Sequence, residues 1–231
     1  MKLAIVGYGK MGKLIEQFAP EFGFELALKL DIENNRNGAG ITRENFRAID
    51  VAVEFSQPDV AVKNMEGIAA LGVNLVVGTT GWYDELTRVR DAVGRAGAGL
   101  VYGANFSVGM VLFSELVKTA GRCFREEPDY DAWAYEIHHR MKKDAPSGTL
   151  LKLTKLLEES GYTRRIDVSS NRVGMMPGMH QIGFDSGPDT ITLTHTARNR
   201  LGFARGALRA AKWVIGKKGV YEFAEVLAAG G

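Results

Sequence analysis

Six residues, Gly7-Tyr-Gly-Lys-Met-Gly12, restrict the folds open to this chain more than any others. They join a strand-like run, residues 3–6, directly to a helix-like one, residues 10–18. Gly7 suits a tight turn, Gly9 lets backbone come close to a bound group, and Gly12 lets the helix pack on its strand. The helix start offers free N–H groups and a positive partial charge to an anion. A strand, glycine turn and helix in this order begin a parallel sheet rather than a hairpin.

The next hundred residues keep that rhythm. Short apolar runs at 26–30, 51–55, 75–77 and 100–102 alternate with helix-like stretches at 59–71 and 83–96. The pattern predicts a doubly wound α/β domain with helices on both faces of the sheet. Residues 34–49, rich in Asn, Arg and Gly, read as loop with at most one short helix or strand. After Asn105 the rhythm changes. Residues 108–124 read as one long amphipathic helix and 131–138 as a strand, and a helix opens at Pro146 or Ser147 and runs to about Ser160. Strand candidates follow at 166–173, 179–184 and 190–196, then helices at 205–217 and 221–228. This order predicts a second, α+β domain.

Composition removes several classes of function. In 231 residues, 45% are hydrophobic and 24% charged, and the formal net charge is +2, so the average balance gives no argument for nucleic acid. Cys123 is the only cysteine, which excludes an intrachain disulfide and a cysteine-rich metal site. No apolar run nears the roughly twenty residues of a membrane span. Residue 1 leads straight into the first strand with no signal-like segment, so a cytoplasmic protein is expected.

The glycine turn gains meaning from its surroundings. Asp31 ends the second strand, where a carboxylate accepts hydrogen bonds from both ribose hydroxyls of a dinucleotide and disfavours a 2′-phosphate. Arg36 lies close enough to meet such a phosphate, and Lys29 is a further basic candidate, so NADH and NADPH both stay open. Gly78-Thr-Thr-Gly81 and Gly103-Ala-Asn-Phe106 follow the fourth and fifth strands, where open α/β sheets bind ligands, and Phe55-Ser-Gln-Pro58 follows the third. Each turn alone can be loop punctuation; three in register argue for a cofactor cleft.

A second constellation reads Glu136-Ile-His-His-Arg-Met-Lys-Lys-Asp-Ala-Pro-Ser-Gly-Thr149. It gathers two histidines, several cations and a helix start in one loop. Side chains alternate along a strand, so His138 and His139 face different ways. Lys142 stands four residues beyond His138, across a turn. A lysine or histidinium beside a bound dianion is a general acid. Ser147, Gly148 and Thr149 offer hydroxyls and N–H groups to a carboxylate or phosphate, and Asp144 can orient Lys142 or Lys143. A solvated basic loop with a good N-cap is the plainer reading. The His-His pair lacks a third ligand at recognisable spacing, so no metal is expected. His180 and His195, on later strands, read as sheet histidines.

The stretch from Glu136 to Thr149 resembles the signature of the 4-hydroxy-tetrahydrodipicolinate (dihydrodipicolinate) reductase family. The likeness extends to Gly7–Gly12, Glu54-Phe-Ser-Gln-Pro58, Gly78-Thr-Thr-Gly81, Ala104-Asn-Phe-Ser-Val-Gly109, His195 with Arg200, Phe203-Ala-Arg-Gly-Ala207 and Trp213. It implies a Rossmann-type domain from residues 1–106 plus 201–231. An inserted α+β domain, residues 107–200, would hold the substrate and make a homotetramer. It further implies His138 and Lys142 as proton donors, and His139, Lys142, Ser147, Gly148 and Thr149 as holders of a cyclic dicarboxylate. Gly7, Tyr8, Gly9, Lys10, Met11, Gly12, Asp31, Gly78, Thr79, Thr80, Gly103, Ala104, Asn105 and Phe106 would hold NADH or NADPH. The implied reaction, in lysine and diaminopimelate biosynthesis, removes the 4-hydroxyl as water and adds hydride at ring carbon 4.

Three features depart from the common family pattern. The glycine turn is one residue shorter, Gln57 stands where many relatives carry arginine, and the chain is shorter between Asp31 and Val51. Two rival readings come from other classes: a different two-domain reductase such as an amino-acid dehydrogenase, and a dinucleotide sensor without turnover. A dehydrogenase needs no dicarboxylate seat. A sensor needs an effector surface such as a basic helix, and no separate one is visible in the sequence.

Overall fold

Strands built almost wholly of aliphatic residues must be covered on both faces, and the first half of the chain is assembled on that rule. The computed structural model describes residues 1–230. It opens with β1 (Lys2–Val6), α1 (Lys10–Phe18), β2 (Glu25–Leu30), β3 (Val51–Glu54), α2 (Pro58–Ala70), β4 (Asn74–Val77), α3 (Leu86–Ala96) and β5 (Gly99–Tyr102). Next come α4 (Val108–Phe124), β6 (Asp131–His138), α5 (Gly148–Glu159), β7 (Ile166–Arg172), β8 (Met179–Asp185) and β9 (Thr190–Thr196). The chain closes with α6 (Leu201–Val214), β10 (Gly219–Glu222) and α7 (Phe223–Ala228). Two compact units result: residues 1–108 with the residues from Leu201 onward, and residues 109–200.

The first unit carries a six-stranded parallel sheet in the order β10-β5-β4-β3-β1-β2. Alternation splits its buried residues between two layers. Ala4, Val6, Ala52, Leu75, Val77 and Leu100 pack with Met65 and Ile68 of α2 and Val89 and Val93 of α3. Leu3, Ile5, Val51, Val53, Val76 and Val101 are equally buried and point the other way, toward the face covered by α1 and α6. From β1 the chain steps outward to β2 and then crosses back to β3. The order therefore reverses at β1, which is where open sheets of this kind bind ligands.

Two elements differ from the sequence reading. Residues 219–222 form a sixth strand, parallel to β5, where the sequence suggested that a helix had begun by Tyr221. Four half-buried residues carry too little periodicity to announce an edge strand. The helix α6 begins at Leu201, four residues before the expected start. Residues 36–38 form one 3₁₀ turn with Asn37 at φ 54°, inside the segment read as loop.

The second unit pairs β7-β6-β8-β9 in a mixed sheet, with β6 and β7 parallel and the other pairs antiparallel. One face packs on α4 and α5 through Phe113, Val117, Leu153, Leu157, Ile182 and Phe184. The opposite face presents Trp133, Tyr135, Ile137 and Gln181 half-buried and Thr192 and Thr194 exposed. None of the described helices crosses a membrane by length and apolarity.

Candidate active site

The hydrogen-bond ladder of the parallel sheet runs one residue past each strand. Gly7 N–H donates to the Leu30 carbonyl (2.8 Å), Phe55 to Val6 (2.8 Å), Gly78 to Glu54 (2.9 Å) and Gly103 to Val77 (3.2 Å). The four turns therefore leave from one edge. Gly7 adopts φ +94°, and a β-carbon on it would stand 2.3 Å from the Phe55 carbonyl oxygen. A β-carbon on Gly12 would stand 2.5 Å from the Gly7 oxygen, whereas one on Gly9 would meet nothing within 4 Å. The turn is thus closed from below and open above Gly9. No side chain caps α1, so its first N–H groups stay available to a phosphate.

Two cavities adjoin this edge. One of about 370 Å³ is lined by Gly7, Gly9, Asp31, Arg36, Ser56 and Asn64, among others. The other, about 420 Å³, is lined by Gly9, Lys10, Met11, Ser56, Pro58, Gly78, Thr79 and Thr80 with Phe55. The remaining residues expected here, Tyr8, Gly12 and the turn from Gly103 to Phe106, line neither cavity. The Tyr8 hydroxyl donates to Glu16, and its ring lies under Lys29. Phe106 is buried between Phe55 and Phe223, so its ring belongs to the core. Asp31 is tied locally, accepting from the Ile32 amide at 2.9 Å. Lys29 pairs with Glu16 at 3.2 Å. An open glycine turn, an uncapped helix and a carboxylate at the end of β2 form a donor and acceptor set that fits a dinucleotide.

The second unit builds its site around a residue that the sequence reading quoted and gave no role. Glu136 is fully buried on β6. Its carboxylate accepts from the Ser147 amide (2.9 Å), the Ser147 hydroxyl, the Ser170 hydroxyl (3.1 Å) and the Arg172 guanidinium (2.9 Å). Two imidazoles border it. His138 Nδ1 lies 3.4 Å and His180 Nε2 3.6 Å from the same carboxylate oxygen, and the rings meet edge-on at 5.0 Å. The sheet register explains the assembly, because Glu136 faces Ser170 on β7 and His180 on β8. Glu136, His138 and His180 offer ligand atoms within 4.8 Å of one another, a spacing that suits a metal. Against that use, Arg172 already neutralises the carboxylate, and Lys142 adds positive charge to the surroundings of both histidines.

The electrostatics follow from this packing. Burial pushes Glu136 upward, but Ser147, Arg172 and His138 outweigh it and hold the carboxyl below its ordinary range. Burial lowers His138 against the pull of Glu136, with Lys142 and Arg172 adding to the depression. His180 is lowered to about 4 by burial first and by His138 next. Both imidazoles are therefore neutral in the resting protein at neutral pH.

The loop above this floor presents the outward groups. Lys142 Nζ pairs with Asp144 at 2.8 Å, and this lysine holds the Asp144 carboxyl below its ordinary range. The Lys142 amide donates to the His139 carbonyl (3.1 Å). Arg172 also donates to the Asp144 carbonyl, which fastens the loop to the buried cluster. The Ser147 hydroxyl turns inward to Glu136 and caps α5 by accepting from the Leu150 amide at 3.2 Å. Gly148 is exposed and a β-carbon on it would meet nothing within 4 Å, and Thr149 is half-buried. His139, Lys142, Gly148 and Thr149 are thus the members of the expected set that reach outward, while His138 and Ser147 sit beneath. His180 belongs to the cluster, whereas His195 packs against Phe113. From sequence, His180 becomes visible only once β6 and β8 are paired in register.

A reversing parallel sheet with an open glycine turn, and a second unit with a cation-bearing loop over neutral imidazoles, define a two-unit, dinucleotide-dependent oxidoreductase. Two family models narrow that class: dihydrodipicolinate reductase, N-terminus, matches residues 1–106, and dihydrodipicolinate reductase, C-terminus, matches residues 109–227. The chain belongs to the dihydrodipicolinate reductase family. It is 34% identical to a 4-hydroxy-tetrahydrodipicolinate reductase of Christiangramia forsetii over 98% of each chain. It is 39% identical to the enzyme of that name from Methanoregula boonei, over 77% of this chain and 74% of the relative. Among solved structures, a dipicolinate-bound dihydrodipicolinate reductase from Paenisporosarcina sp. TG-14 shares the fold, with a TM-score of 0.81 at 23% identity, covering 96% of this chain and 97% of that one.

Proposed function

We propose that the protein reduces 4-hydroxy-tetrahydrodipicolinate to tetrahydrodipicolinate with NADH or NADPH, in the route to diaminopimelate and lysine. The observation that carries this reading is Lys142, held by Asp144 above the neutral His138 beside an open helix start. The balanced change consumes the substrate, one reduced nicotinamide and one proton, and releases water and the oxidised cofactor.

The first unit holds the cofactor through the turn from Gly7 to Gly12, with Asp31 at the ribose and the Thr79–Thr80 loop further along the edge. When bound, the dinucleotide supplies the hydride. The chain's own residues then manage charge. The two carboxylates of the ring sit on Lys142, Thr149 and the Gly148 backbone, with His139 beside them. An arriving dianion competes with Asp144 for Lys142 and raises the proton affinity of His138. Substrate binding thereby loads the acid that it needs. As hydride addition at ring carbon 4 pushes electrons toward the ring nitrogen, His138 and Lys142 supply the proton that the enamine takes up. Buried Glu136, paired with Arg172, stands beside His138 and keeps it in place.

The half-buried apolar face of the second sheet, with Trp133, Tyr135 and Ile137, supports a homotetramer formed through that unit. A cytoplasmic location accords with a lone cysteine and a biosynthetic role. A label tests the reaction. With cofactor deuterated at the transferring position of the nicotinamide, the product gains one deuterium at ring carbon 4. Unlabelled product formed at the same rate refutes the assignment.

A further inference from the structure

The described residues buried with a polar or charged side chain fall into two clusters: Glu136, His138, Ser147 and His180 in the second unit, and Glu54, Asn64 and Thr79 in the first. The cluster of the second unit has a place in the chemistry above. In the cluster of the first unit, Glu54 has none. Glu54 ends β3, after three fully buried aliphatic residues, and is itself fully buried. Among the described residues no cation lies within ion-pair distance of it. All its partners are uncharged. One carboxyl oxygen accepts from the Ser56 amide (3.3 Å), the Ser56 hydroxyl and the Asn64 amide group (3.3 Å); the other accepts from the Thr79 hydroxyl at 2.6 Å. Burial raises its pKa, against the hydrogen bonds from Ser56, Thr79 and Asn64.

A carboxyl at such a position is costly, because an apolar side chain would continue β3 without desolvating an acid. Its partners say what it does. Ser56 lines both cavities at the sheet edge, Asn64 lines the one beside Asp31, and Thr79 lines the one beside Lys10. Asn64 continues the chain by accepting from Asn35 at 3.2 Å, next to Arg36. Thr79 is gripped a second time, at its carbonyl, by the buried Trp82 indole at 2.7 Å. The turns also interlock sterically, since a β-carbon on Gly78 would stand 2.1 Å from the Phe55 ring. The two ends of the cleft therefore share one buried acceptor.

We infer that Glu54 is the positioning residue of the cofactor cleft: its carboxyl fixes Ser56 and the Thr79 loop together, so that both ends are formed before the dinucleotide arrives. Preorganisation of this kind improves affinity by removing the cost of ordering the loops on binding. The inference rests on the cofactor reading above and deepens it.

The test is a fluorescence titration of the purified full chain with NADH, in the wild type, Glu54→Gln, Thr79→Val and the double variant, with urea unfolding alongside. Glutamine keeps the size of the side chain but has one acceptor oxygen, so it cannot accept from Thr79 on one side and from Ser56 and Asn64 on the other. Each single variant is expected to weaken NADH about tenfold, the scale of a lost hydrogen bond to a carboxylate. The double variant should be no weaker than the worse single, because both act through one contact. Unchanged NADH affinity in a folded Glu54→Gln protein, or additive losses, overturns the inference, even if stability falls. If Glu54→Gln does not fold, Ser56→Ala and Thr79→Val decide: NADH affinity unchanged in both overturns it, and losses smaller together than their product support it. A wild type that binds neither NADH nor NADPH overturns the cofactor reading itself, and this inference with it.

Discussion

Glu136 and Arg172 meet at 2.9 Å with the carboxylate wholly buried, and this pair forms the floor on which the loop carrying Lys142 and Asp144 rests. Removing one partner from a buried pair is far worse than never having had it, because the remaining charge stays desolvated. Arg172→Met is therefore expected to lower unfolding stability by about 3 kcal/mol, measured by urea denaturation. A loss under about 1 kcal/mol, the range of exposed pairs, would show that the carboxylate does not depend on Arg172.

The glycine turn separates stability from binding. Gly9 has an ordinary φ of −81° and open space before it, so Gly9→Val should fold normally. Its branched side chain should block a pyrophosphate and weaken NADH by about 100-fold or more, a loss of roughly 3 kcal/mol. Gly7→Ala should do the reverse and lower the melting temperature, since its β-carbon overlaps the Phe55 carbonyl at a positive φ. Calorimetry and NADH titration on both variants decide. Equal binding by Gly9→Val and wild type would move the phosphate seat elsewhere.

The acid assignments predict a split in kinetics. His138→Ala and Lys142→Ala should each lower kcat by about 10²-fold or more, with NADH affinity unchanged because neither residue is placed at the dinucleotide. Rates near wild type in both variants would remove them from proton transfer.

His180 gives a pH signature. Its pKa is lowered from 6.5 to about 4 on folding, so the unfolded chain binds the proton more readily between those values. Stability from this group is complete above pH 6.5 and is lost as pH falls toward 4. The melting temperature should drop more steeply across that window in the wild type than in His180→Gln. Parallel curves would mean that His180 is not held neutral by the fold.

Much of the fold was legible because its causes are local. The glycine turn, the aliphatic runs and the N-cap at Ser147 each act within a few residues, and the strands from β1 to β9 lie where periodicity placed them. The strand at residues 219–222 was not legible, since an edge strand of four residues is defined by its neighbour β5. The candidate site was legible in its residue types and less so in its layering. Ser147 looks from sequence like a ligand for an anion, yet Glu136 draws its hydroxyl inward. Glu136, Arg172 and His180 come together through the register of β7, β6 and β8, which no spacing along the chain reveals.

The most direct measurement follows the absorbance of NADH, and separately NADPH, with the purified chain and freshly formed 4-hydroxy-tetrahydrodipicolinate. The account predicts consumption of reduced cofactor in step with the substrate, and tetrahydrodipicolinate as product. Binding of NADH or NADPH without consumption of either, in the presence of that substrate, would contradict it.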